Sequence, residues 1–444
     1  MPEFLPKKTA SVLALLCVCF FVLPRVMTIG NLPKLGVDDL IAAFSLPPLH
    51  KPEPVQEEPQ DETPEIQAHA PIPHLIVPKG SLDRFFHGLR NLEEGKPGTV
   101  VRVLHYGDSP TTADSITADI RKILQDRFGN GGHGFVLLAK PWAWYGHRGI
   151  GLESKGWNIE AASMHKAPDG EHGLGGVSFK GQTGAWTRIT LPDEQHSRIT
   201  VHYWAQPGGG TISLTAGETV LGNVETAAAE AKPDWAEFSL PTGTKVIRLE
   251  VTAGPVRAFG VRLDRDGPGI QYSSLGINGA HVEMLLRSFE KKAWAAELQH
   301  ENPDLLVLNY GTNESIYASY IAKQYPGDLR KIIDFIHQAI PNTPVLVMSP
   351  MDRGVLGPGG DVVTPDTLVE LIAMQKKIAD ETGCAFFNTF EAMGGAGTMR
   401  RWYKESQPRL VSADFMHPLP QGAAKVGALA ADALMKEYDG GVAK

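Results

Sequence analysis

The chain has 444 residues, 42% hydrophobic and 21% charged, with a formal net charge of -8. That length has room for two or three domains with a sizeable core. The acidic balance leaves no basic footprint of the kind that nucleic-acid binding requires.

Lys7 and Lys8 precede an apolar run of fourteen residues from Ala10 to Leu23, interrupted by Pro24-Arg25. The run suits a signal-peptide core and falls short of the ~20 residues that span a bilayer. No small-x-small cleavage site follows, so residues 1–30 read as a signal peptide or an uncleaved N-terminal membrane anchor. A lipoprotein signal at Cys17 is disfavoured by bulky Leu16. Either way the body is expected to be exported, to a periplasmic or other extracytoplasmic location. Of three cysteines, Cys17 and Cys19 lie here, and Cys384 alone is left in the body. An intrachain disulfide and a cysteine metal site are thereby excluded from the body. Residues 31–78 are rich in proline and acidic residues, a composition that buries too little apolar surface to fold, and are read as a linker.

From 79 to 150 the pattern is α/β. Val101, Val103 and Leu104 mark a strand, and Ile116, Ile120, Ile123 and Leu124 recur at helical spacing. Between 151 and 267 the texture changes. "RITVHYWA", "TISLTAG", "KVIRLEVTAG" and "RAFGVRL" alternate with period two, as half-buried antiparallel strands do, and predict an all-β module of sandwich size. In it Trp186 and Trp204 fall on polar strand faces, where they are candidates for stacking on a sugar ring or for packing. Trp142, Trp144 and Tyr145, just before it, fit a cleft lining or the core, with core favoured. From 268 to 440 α/β character resumes: "DLLVLNYG" and "PVLVMSP" are continuous apolar runs of buried parallel strands, and Leu329, Ile332, Ile333, Ile336 and Ile340 share a helical face. Further helices are expected at 366–381 and 420–437, with a strand at "CAFFNTF". The whole reads as one α/β domain interrupted by a β insert.

Two glycine-rich stretches carry little. "RFGNGGHGF" lacks the Gly-Lys-Ser/Thr ending of a phosphate loop, and "LDRDGPG" lacks the later bidentate Glu of a calcium loop and reads as a turn.

The first strand of the α/β pattern ends in Gly107-Asp108-Ser109-Pro110, with a helix expected at once. Ligands of open parallel sheets bind at the carboxyl ends of strands. Ser109 therefore sits at a functional edge, where the helix N-terminus favours negative charge. Gly107 permits a tight turn, and Pro110 is pre-set for an early helical position. A hydrolytic serine needs a base, a group that orients it, and oxyanion donors. Asp414 and His417, three apart before the last helix, supply the first two; the Gly279 N–H and the Asn313 amide at two further strand ends supply donors. Each of these alone is ordinary turn or cap chemistry.

Together, Gly107-Asp108-Ser109, Gly279 in "GING", Gly311-Thr312-Asn313-Glu314 and Asp414-Phe415-Met416-His417 make the chain resemble an SGNH (GDSL-type) hydrolase. The resemblance implies a flavodoxin-like three-layer α/β/α domain with a parallel sheet. It makes Ser109 the nucleophile, His417 the base and Asp414 its partner, with the Ser109 N–H, Gly279 and Asn313 as the oxyanion hole. Glu314 departs from the commoner Gly-x-Asn-Asp, which puts that residue's supporting role in doubt. "SLGING", "YGTNES" and "EAMGG" are most similar to exported peptidoglycan or polysaccharide O-acetylesterases. Members of that group carry a carbohydrate-binding-like, jelly-roll-like β module as an insert. The expectation is a serine esterase that removes O-acetyl groups from a polysaccharide, peptidoglycan being favoured, and that needs no metal or cofactor. The partners expected are an O-acetylated polysaccharide and a membrane reached through the N-terminus, with no nucleic acid. An acyltransferase using the same acyl-serine, and an idle glycan-binding protein, are the alternatives.

Overall fold

The computed structural model describes residues 74–442. The segment read as a signal or anchor, Cys17 and Cys19, and all but the last residues of the expected linker lie outside the described residues. Among the described residues no helix is long and apolar enough to cross a membrane.

The elements are, in order, strand β1 (Leu75–Ile76), helix α1 (Asp83–Glu93), β2 (Val100–Gly107), α2 (Ser109–Thr112), α3 (Ser115–Phe128) and β3 (Asn130–Val136). Eight strands follow: β4 (Gly151–Ala161), β5 (Val177–Thr190), β6 (His196–Ala205), β7 (Thr211–Ala216), β8 (Thr219–Glu225), β9 (Lys232–Ser239), β10 (Val246–Ala253) and β11 (Val256–Arg265). The remainder is β12 (Gly269–Gly276), α4 (Met284–Arg287), α5 (Lys291–Glu301), β13 (Leu305–Asn309), α6 (Ala318–Lys323), α7 (Tyr325–Ala339), β14 (Val345–Met348), β15 (Val355–Leu356), β16 (Val362–Val363), α8 (Asp366–Glu381), β17 (Ala385–Phe387), α9 (Thr389–Ala392), α10 (Thr398–Lys404) and α11 (Pro420–Val442).

Strands β17, β14, β13, β2, β12 and β3 lie side by side and pair in parallel, the arrangement expected of continuous apolar runs. Period-two alternation sends their side chains to opposite faces. Val101, Val103, Leu305 and Val307 pack with Phe85 of α1, Ile120 of α3 and Val426 of α11. Leu104, Leu306 and Leu308 pack on the other side with Trp294 of α5, Ile333 of α7 and Leu371 of α8.

The strands of 151–265 are antiparallel, as their alternation predicts, but they do not form a sheet of their own. Strand β11 pairs with β3 (Val261 opposite Val136), with β5 and with β6, so the hydrogen-bonded ladder runs from the parallel core straight into the antiparallel strands. Ile199, Val201, Ile247 and Leu249 share one buried cluster with Leu306 and Leu308. At the level of pairing the expected sandwich is therefore joined to one large mixed sheet; among the described strands only β15 and β16 pair apart from it. The expected half-burial also fails in places. All ten residues of β11 are buried, and the polar face of β6, Thr200 and His202, is buried as well.

The chain after β2 also differs from the reading of one helix. Ser109 opens a one-turn helix, α2, and Asp114 then adopts a left-handed conformation (φ 50°) before α3 begins. The Asp114 carboxylate, fully buried, accepts from Arg121 (2.6 Å), Thr117 Oγ1 (2.6 Å) and the Arg148 N–H (2.8 Å), which together fix the break. Burial alone would raise its pKa, but the charges of Arg121 and His147 and these hydrogen bonds hold it well below the usual carboxylate range. Replacing Asp114 by Ala strands a buried guanidinium, so Asp114→Ala is expected to cost about 3–5 kcal/mol. Denaturant unfolding checks this; a loss under about 1 kcal/mol would mean that Arg121 finds water or another partner.

Candidate active site

Three parallel strands end level with one another. In register, Gly276 of β12 and Asn309 of β13 both stand opposite Gly107 of β2. Helix α2 lies directly against these ends: a Cβ on Gly107 would come 2.3 Å from Thr111 Oγ1, and one on Gly276 would come 2.0 Å from the Thr112 nitrogen. Gly107 is thus required by close approach, not by the turn conformation that its sequence context implies. Ser274 of β12 reinforces the contact by donating to the Thr111 carbonyl (2.8 Å).

Ser109 is the first residue of α2, where N–H groups have no intrahelical acceptor. Its Oγ lies 2.8 Å from His417 Nε2, across 308 residues of sequence. His417 Nδ1 in turn lies 2.6 Å from Asp414 Oδ2. With Nδ1–H donating to the carboxylate, Nε2 carries no proton and accepts the serine hydroxyl. The loop is braced internally: Asp414 Oδ1 accepts from Ser412 Oγ (2.5 Å) and from the N–H groups of Met416 and His417 (both 3.0 Å). Partial burial would raise the Asp414 pKa, but the hydrogen bonds from Ser412 and His417 outweigh it and hold the carboxyl ionised, well below its ordinary range.

Asn313 and Gly279 line the same cleft of about 540 Å³ as Ser109, Asp414 and His417. Gly279 is left-handed (φ 68°), and nothing lies within 4 Å of where its Cβ would be. One N–H of the Asn313 amide donates to the Ala280 carbonyl (2.9 Å), which orients the side chain and leaves its second N–H. Glu314, the departure in the third block, is fully buried and accepts from the Val282 N–H (2.7 Å). The two bonds bracket the loop after β12 onto the loop after β13.

Five of the seven residues singled out from sequence meet in this cleft; the two tryptophans do not line it. Trp186 is half-buried with the Arg248 guanidinium 4.4 Å from its ring centre, and Trp204 packs edge-on against Phe259. Trp142 and Tyr145 are buried, as expected of core. Trp144 is not: it is 62% exposed, donates to Asn278 Oδ1 (2.9 Å) and forms part of the cleft rim. The cleft position was the less favoured of the two sequence readings, because three aromatics in four positions fit a core segment at least as well.

Residues 241–425 match the sequence model of the GDSL-like lipase/acylhydrolase family, a span that holds Gly279, Asn313, Asp414 and His417 and begins after Ser109. No curated protein matches the chain by sequence. Among solved structures, a peptidoglycan O-acetylesterase superposes with a TM-score of 0.69 at 22% identity, over 80% of this chain and 96% of its own, and so shares the fold. A family 3 carbohydrate esterase from Clostridium thermocellum gives a TM-score of 0.27 at 16% identity, over 39% of this chain and 80% of its own. The C-terminal CBM6 of LamC from Zobellia galactanivorans gives 0.20 at 17%, over 26% and 99%. Likenesses as slight as these last two carry no argument.

Burial beneath the cleft, aided by the nearby charge of Asp108, raises the Glu314 pKa from 4.5 to about 8. The folded chain then keeps a proton that the unfolded chain releases between those values. The stabilisation is complete below pH 4.5 and is lost as pH rises through about 8. Glu314→Gln, which mimics the protonated side chain, is expected to flatten the fall in Tm across that window. Thermal unfolding at stepped pH tests this, and identical slopes for the two proteins would rule it out.

Proposed function

We propose that this chain, which carries a GDSL-type hydrolase domain, is a serine esterase that removes O-acetyl groups from a polysaccharide, peptidoglycan foremost. The observation that carries the reading is the unbroken hydrogen-bonded chain Asp414–His417–Ser109 opening on a cleft with amide donors at its wall.

In this reading Ser109 Oγ attacks the acetyl carbonyl carbon while His417 Nε2 takes the hydroxyl proton, and Asp414 stabilises the imidazolium. The tetrahedral oxyanion sits among the Ser109 N–H, the Gly279 N–H and the remaining Asn313 N–H. Its collapse breaks the bond to the sugar oxygen, which leaves with the proton from His417. Water, giving a proton to His417, then attacks the acyl-serine; the acyl–Oγ bond breaks, Ser109 Oγ takes that proton back from His417, and acetate leaves. No metal or cofactor takes part.

A polymeric substrate is supported by a second cleft of about 650 Å³, which shares Ala113, Ser115 and Pro418 with the first and is lined beyond them by Asp119, Arg148 and Gln421. The fold shared with a peptidoglycan O-acetylesterase supports the choice of polymer. We read the hydrolase as residues 79–150 and 268–440, three-layered and flavodoxin-like, with 151–267 as a jelly-roll-like insert. Export through residues 1–30 would bring the enzyme to a wall polysaccharide.

Ser109→Ala is expected to lower kcat by at least about 10⁴-fold without loss of fold; near-normal turnover would end the assignment. Asn313→Ala should lower kcat by about 10²–10³-fold, and a change confined to KM would remove the residue from the oxyanion hole. Acetate release from O-acetylated peptidoglycan should exceed that from acetylated xylan, the reverse order pointing to a plant-type polymer.

A further inference from the structure

Outside the Ser109 cleft, β6 and α5 press together polar side chains that ester hydrolysis does not use. His202 of β6 and Glu297 and Glu301 of α5 are fully buried. His300, partly exposed, stacks on Trp235 with ring centres 4.0 Å apart and planes within 1°. His202 Nδ1 lies 2.8 Å from Glu297 Oε2, and the Trp235 indole N–H donates to the same oxygen (3.1 Å). An imidazole that gives its Nδ1–H to a carboxylate presents Nε2 as a lone-pair donor. That Nε2 is buried and has no hydrogen-bond partner, and neither has Glu301 Oε2. Glu301 Oε1 stands 3.5 Å from His202 Nε2, near the ~3.3 Å that separates two donors each about 2.0 Å from a tetrahedral ion. One donor atom each from His202, His300 and Glu301 falls within 4.8 Å of the others.

We propose that His202, His300 and Glu301 bind one divalent transition-metal ion, zinc by its two-imidazole, one-carboxylate donor set, and that the ion clips β6 to α5. The supporting shell has the form such sites use: Glu297 fixes the His202 tautomer, Trp235 fixes the His300 plane, and Arg262 Nη1 holds Glu301 Oε1 at 2.8 Å. The fourth position is left to water. Helix α5 ends at Glu301, and its carbonyl terminus favours a cation there. The buried carboxylates Glu297, Glu301 and Asp264 outnumber the one buried guanidinium in contact with them, Arg262. A dication offsets that excess.

The test is zinc chloride titrated into the chelator-stripped full chain, followed by calorimetry, metal analysis and thermal unfolding. The expected result is one Zn²⁺ per chain with Tm raised by a few degrees at saturation. His300→Ala, at the most accessible ligand, should abolish the stoichiometric site while matching the Tm of the stripped parent. Glu297→Gln should weaken binding by about 10–100-fold without changing stoichiometry. Absence of stoichiometric zinc would overturn the proposal, as would equal affinity in the parent, His300→Ala and Glu301→Gln. A Tm unmoved by saturating zinc would likewise overturn it.

Discussion

No side chain fits at Gly107 or Gly276, and the geometry of the cleft follows from that constraint. With hydrogen in place of Cβ, helix α2 rests directly on the ends of β2 and β12, within van der Waals reach of the backbone. Ser109 is then held by three neighbouring strands whose register puts Gly107, Gly276 and Asn309 level. The loops leaving those strands have little choice of direction. Gly279 and Asn313 arrive on one side, tied to each other through Ala280 and Val282. The loop 412–417, closed by the Asp414 hydrogen bonds, arrives on the other.

The acid–base arrangement depends on contrasting environments for carboxyl groups close together in the fold. Asp414, half-exposed and fed by four hydrogen bonds, is held ionised beside His417. Glu314, sealed below the cleft with one oxygen lacking any partner, is pushed toward the neutral form. Asp108, also buried, is raised to about 6, burial outweighing its hydrogen bond with Thr312. One ionised carboxylate therefore faces the imidazole, while the buried pair resists ionising together.

The parallel core was legible because continuous apolar runs such as "DLLVLNYG" have no other use than a strand covered on both faces, and helix α8 covers the span its periodicity gave, Asp366–Glu381. The cleft residues were legible because reactive side chains stood where strands stop. Strand β3 was hidden for a physical reason: "RFGNGGHGF" is glycine-rich because Gly132 and Gly134 pass so close to Leu263 and Ser273 that a Cβ would meet them at 2.3 and 2.5 Å. So many glycines leave no apolar alternation to read, although the segment lies inside the sheet. The burial of the polar face of β6 was hidden as well, since the partner of His202 Nδ1 is Glu297, 95 residues away. Pairing of that range leaves no local pattern. The same holds for Trp144, whose exposure depends on Asn278 across the cleft.

Strand β2 finds its neighbours β12 and β13 only after more than 160 further residues, and Ser109 meets His417 later still. A chain emerging in order from its N-terminus therefore holds β2 with both flanks bare until the antiparallel strands have been made and β12, then β13, follow them. During that interval β2 is an unprotected edge open to wrong pairing. Ser109 and His417 come together among the last contacts to form, so a truncated or partly folded chain holds the serine without its imidazole partner.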